Sequence, residues 1–141
     1  MVPSLADAVA IFKKWREDSA EILVVSESPF QQSRRGLLEH SIDWTLSMQG
    51  KIAEATIDPS KKGKKAARVV LQATGGNLSL SIGHCAFLYE EPREAKPDVR
   101  PEAESVTVSA LSVFFPSNEV FVFYELREPL EKGSLVGWST I

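Results

Sequence analysis

Leu5, Ala8, Val9, Phe12 and Trp15 recur at the spacing of one helical face, with Ile11 at its margin. Asp7, Lys13, Lys14, Arg16 and Glu17 take most of the other side, so residues 5–18 are predicted as an amphipathic helix. Ser4 stands where an N-cap belongs. Asp7, three residues on, completes a capping box with aspartate in place of the commoner glutamate.

Past this helix the period drops from 3.6 to 2. Residues 21–26 read as a short strand, and Ser28-Pro29 followed by Gln31 starts a short helix that Gly36 ends. Residues 41–49 then alternate, with Ile42, Trp44, Leu46 and Met48 on one face and polar side chains on the other. Gly50 is expected to bend or bulge this strand before it continues through residues 52–57.

The run from Ala67 to Ile82 is the sharpest local signal. Two alternating segments flank Gly75-Gly76, which reads as the two-residue turn of an antiparallel hairpin, since primed turns need a positive φ. That turn would pair Ala73 with Leu78, Leu71 with Leu80 and Val69 with Ile82, all on one face. Residues 84–89 read as further strand. A bulge at Gly83 is expected to reverse its phase and bring Cys85, Phe87 and Tyr89 inward.

Residues 90–104 carry charges and three prolines without periodicity and read as a long exposed loop. A second hairpin follows, 105–115 and 119–126 about a turn at Pro116-Ser117-Asn118, and residues 133–141 form a last short strand. In its second arm Val120, Val122, Tyr124 and Leu126 take one face and Phe121 and Phe123 the other. A strand apolar on both faces is covered on both sides.

These elements specify an α+β fold in a single domain over residues 1–141. An N-terminal amphipathic helix packs on a curved, mostly antiparallel sheet of roughly six or seven strands, as a roll or helix-capped barrel. A two-sheet β-sandwich with a peripheral helix is the alternative.

Composition narrows the class. The 141 residues are 43% hydrophobic and 25% charged, with a net charge of −3, which suits a globular chain and disfavours nucleic acid as a partner. The single cysteine, Cys85, forms no disulfide within the chain. Asp7 interrupts the apolar N-terminal stretch and Lys13 and Lys14 follow it, which is not the order of a secretory signal, and no run is long enough for a membrane helix. A soluble cytoplasmic protein is expected.

Fingerprints of nucleotide binding, zinc proteolysis and serine hydrolysis are absent, and neither a cofactor nor a metal is expected. The candidate catalytic groups are His40, His84 and Cys85. His84 and Cys85 are adjacent, so a strand would turn them to opposite faces. Glu39, His40 and Asp43 cluster near a strand start, but without a further histidine at ligand spacing. Lys61, Lys62, Lys64, Lys65 and Arg68 form a basic run that could hold an anion, or simply keep a turn solvated.

The function expected is therefore a non-enzymatic binding module, holding a small apolar ligand or a partner segment between helix and sheet. Two alternatives stand beside it. One is a structural or regulatory homo-oligomer, such as a homodimer, using the Phe121/Phe123 face. The other is a small hydrolase-like enzyme using His40 or His84 with Cys85.

Overall fold

The computed structural model describes residues 1–27, 45–91 and 107–126. A helix, Leu5–Glu17 (α1), precedes seven strands: Glu21–Glu27 (β1), Thr45–Ile57 (β2), Ala67–Ala73 (β3), Gly76–Ser81 (β4), Ala86–Glu90 (β5), Thr107–Phe114 (β6) and Val120–Leu126 (β7). The short helix expected after Pro29, the terminal strand at 133–141 and most of the loop at 90–104 lie outside the described residues. No described helix is long and apolar enough to cross a membrane.

All seven strands form one antiparallel sheet in the order β4-β3-β2-β1-β7-β6-β5. The two-sheet sandwich is thereby excluded, and β4 and β5 remain unpaired with each other, so the sheet is not a closed barrel. β1 is the central strand, with a three-stranded meander on either side.

Chain connectivity makes this sheet curl. β4 and β5 are its opposite edges, yet only residues 82–85 join them. A fully extended link of that length reaches about 18 Å. Seven flat strands would put the edges about 29 Å apart. The edges must therefore bend toward each other, and the concave side becomes the core.

α1 lies on that concave side. Its capping box is formed: the Asp7 N–H donates to Ser4 Oγ at 3.2 Å and the Ser4 N–H to Asp7 Oδ2 at 3.3 Å. Ala8, Val9, Phe12 and Trp15 are buried, with Leu5 and Ile11 at the margin, as the periodicity predicts. Phe12 and Trp15 pack against Ile22 and Val24 of β1, Ile52 of β2, Leu71 of β3 and Phe123 of β7 in one cluster, which also takes in Phe87 from one edge and Leu78 and Leu80 from the other. The segment before α1 is tied to β5, where the Tyr89 N–H donates to the Met1 carbonyl at 3.0 Å.

Three local expectations change. The hairpin turn is Thr74-Gly75, not Gly75-Gly76: Ala73 pairs with Gly76, Leu71 with Leu78 and Val69 with Leu80. Neither turn residue takes a positive φ, which falls instead on Gly76 at +153°. The register moves by two positions, and because the pleat repeats every two residues the apolar face is unchanged. At Gly83 the ladder breaks in a tight turn rather than a bulge, closed by the Cys85 N–H donating to the Ile82 carbonyl at 3.0 Å. The phase reverses all the same, and Phe87 is buried while His84 is exposed. In β2 the irregularity lies between Ile52 and Glu54, past Gly50.

Candidate functional site

An open feature of the described surface sits at one end of β1, β2 and β3. It is a depression of about 760 Å³ bordered by Glu21, Ser47, Gln49, Lys51, Gln72 and Thr74 among others. Gly50 is among its lining residues. In β2 that position faces the concave side between Ile22 of β1 and Ala73 of β3, and it carries no side chain. The β2 and β3 backbones approach so closely there that a β-carbon on Gly50 would collide with the Gln72 carbonyl oxygen.

Ser47 and Gln49 alternate with Met48 along β2 and turn to the convex side, opposite Val25 and Leu23 of β1. Ser47 Oγ and Gln49 Oε1 are both shielded from solvent, and neither has a hydrogen-bond partner. Buried oxygens without partners are uncommon, because each forfeits its hydration for nothing. At the rim Lys51 Nζ approaches Glu21 Oε1 at 3.7 Å, an exposed ion pair worth about 0–1 kcal/mol. A lining that mixes Met48 and Ala73 with these polar groups, unpaired acceptors and a rim of both charges together suit a small amphiphilic ligand with hydrogen-bond donors.

The residues singled out from sequence fall elsewhere. Cys85 is half-buried against the core, and desolvation pushes its thiol up to about 11, which keeps it protonated. His84 is exposed on the turn and stands over Gly63, its Nε2 2.8 Å from where a β-carbon would be. His40, Glu39 and Asp43 lie outside the described residues. Among the described residues no group of three His, Cys, Asp or Glu side chains is placed to hold a metal ion.

Lys61, Lys62, Lys64 and Lys65 are exposed around a single 3₁₀ turn, Gly63–Ala66, on the β2–β3 connection. The Gly83 N–H donates to the Lys64 carbonyl at 3.1 Å, which brings His84 alongside these lysines. Arg68 is drawn away: its Nε donates to Ser79 Oγ at 3.0 Å across β3 and β4. At the foot of the same connection the Ser60 hydroxyl and N–H donate to Asp58 and, with Lys61 nearby, hold its carboxyl below the usual carboxylate range.

Phe121 and Phe123 lie on the concave side. Phe123 meets Phe12, and Phe121 meets Phe115 edge to face at 5.4 Å. The opposite face of β7 is the one carrying Val120, Val122 and Tyr124, which are half-buried. Sequence reasoning passed over Ser47 and Gln49, because polar positions on an alternating strand read as the solvent side. Gly50, a glycine inside the strand beside them, was the available signal.

No family model, curated protein or solved structure matches this chain.

Proposed function

We propose that this protein is a non-enzymatic binding module for a small ligand that pairs an apolar body with hydrogen-bond donors. The ligand sits in the depression across β1, β2 and β3. The observation that carries the reading is the pair of unpartnered oxygens, Ser47 Oγ and Gln49 Oε1, on residues that line it; both are shielded in the free protein, so the ligand meets them by a turn of either side chain. The space between α1 and the sheet is less suited to the role, since Phe12, Trp15 and Phe123 fill it with their own rings. A protonated Cys85 thiol packed on the core, with His84 exposed on a turn, gives no support to nucleophilic chemistry.

A fragment screen by protein-observed NMR tests this. Amphiphilic amides and alcohols should shift the resonances of Ser47, Gln49, Gln72 and Thr74, and Gln49→Leu should weaken the best of them about tenfold by removing an acceptor. A screen without hits at these residues, or an affinity indifferent to Gln49→Leu, would count against the module.

A further inference from the structure

The two edges of the sheet are treated differently. Along β5, Met1 lies against the outer side, with the Tyr89 N–H donating to its carbonyl and its own ammonium donating to the Tyr89 carbonyl at 3.3 Å. Along β4, no strand pairs on the outer side among the described residues. Natural edge strands are usually guarded by lysine, proline or a bulge. Residues 75–83, Gly-Gly-Asn-Leu-Ser-Leu-Ser-Ile-Gly, carry no charge and no proline, and the β3–β4 register is unbroken. β4 itself is thus neutral, and the cation lying against it is Arg68 of β3, whose Nε donates to Ser79 Oγ at 3.0 Å.

The direction of its backbone groups follows from one bond. The Ile82 N–H donates inward to the Ala67 carbonyl at 3.0 Å. Alternation then turns the amides of Leu80 and Leu78 inward as well, and leaves those of Asn77, Ser79 and Ser81 facing out. The side chains of these three are exposed, while Leu78 and Leu80 are half-buried at the margin of the core.

We propose that β4 is a dimerisation edge: two copies of this chain pair β4 to β4, antiparallel, across a two-fold axis at Ser79. The pattern is self-complementary about that point. Ser79 meets its own copy and Asn77 meets Ser81, the residues whose amides face outward, in about six N–H···O bonds. Leu78 meets Leu80 at the intervening pairs, where side chains approach most closely, and both leucines of each copy lie on the core side. Polar thus faces polar and apolar faces apolar when the occupant is the same strand reversed. The contact is isologous and uses up the free edge of both copies, while Met1 blocks β5, so assembly stops at two.

The full-length chain, sedimented to equilibrium from about 10 μM to about 1 mM, tests this, since a contact this small is expected to be weak. The expected result is a monomer–dimer equilibrium that Ser79→Lys weakens at least tenfold by setting two lysines opposite each other. Amide exchange on the unmodified protein gives a second readout independent of the variant's folding. The amides of Asn77, Ser79 and Ser81 should slow with concentration, while those of Leu78 and Leu80 are protected throughout. A monomer at 1 mM, a dimer unaffected by Ser79→Lys, or concentration-independent exchange at the three outward amides overturns the proposal.

Discussion

Phe12 of α1 meets Phe123 of β7 edge to face, with ring centroids 4.9 Å apart and planes inclined at 82°. Trp15 also meets Phe12 edge to face, at 5.7 Å and 84°. These rings join the helix to a strand more than 100 residues later, and both Phe12 and Phe123 are almost wholly buried. Phe12→Ala should therefore cost about 3–5 kcal/mol by lost burial and the cavity left behind. Urea denaturation measures this, and a cost below about 1 kcal/mol would mean that the helix is docked by something else.

The capping box predicts a smaller and more local effect. Ser4→Ala leaves the Asp7 N–H without its acceptor and should cost about 0.5–2 kcal/mol. Exchange of the first-turn amides of α1 should accelerate while strand amides keep their protection.

Two glycines on either side of β4 should respond in opposite ways. Around Gly75 a β-carbon meets nothing within 4 Å and φ is not positive, so Gly75→Ala should be neutral or stabilising by about 0.4–1 kcal/mol through a less flexible unfolded chain. At Gly83 a β-carbon would strike the Gly63 carbonyl oxygen, so Gly83→Ala should cost about 1–3 kcal/mol. Thermal melts of the pair would settle the contrast, and equal melting points would contradict the close approach.

Cys85 supplies a prediction in pH. Burial raises its thiol from 9.0 to about 11, so at pH 8 the thiolate should be about a hundredfold scarcer than for an unperturbed thiol and alkylation correspondingly slow. The folded state holds this proton more tightly than the unfolded one. The stabilisation is thus fully present below pH 9 and is lost as pH rises toward 11. Tyr124, raised by burial and by Glu90, acts in the same direction. Melting temperature should fall across this alkaline window, less steeply in Cys85→Ala.

Gln49 ties stability to binding. In the free protein Gln49→Leu removes a shielded oxygen that has no partner, and should stabilise by about 1–2 kcal/mol even as ligand affinity falls. A destabilised variant would show that the amide is better satisfied than its surroundings indicate.

Much of this architecture is legible from residue order, and the exceptions have physical causes. α1 could be read because its cap, its apolar stripe and its basic last turn agree within thirteen residues. In the first hairpin the shared face of Val69, Leu71, Leu78 and Leu80 could be read and the register could not. Alternation fixes parity, whereas the choice between Thr74-Gly75 and Gly75-Gly76 rests on turn energies too similar to separate. The strap of Met1 on β5 and the placing of His84 over Gly63 join residues far apart in the chain, which no local pattern encodes. Ser47 and Gln49 were hidden for a related reason: their polarity announces exposure, and only the neighbouring strands reveal that two of their oxygens are shielded.

The central place of β1 has a consequence in time. β1 is flanked by two meanders built from neighbouring segments, but its own pairing with β7 joins Glu21 to Leu126, about 105 residues apart. The meanders close loops of at most 16 residues, residues 91–106 between β5 and β6, while the β1–β7 seam must close a far longer one before its contacts repay the entropy. The seam is therefore expected to zip last. Truncations along it, such as Val122→Ala, should hasten unfolding and leave the folding rate nearly unchanged, whereas Leu71→Ala inside a meander should slow folding itself.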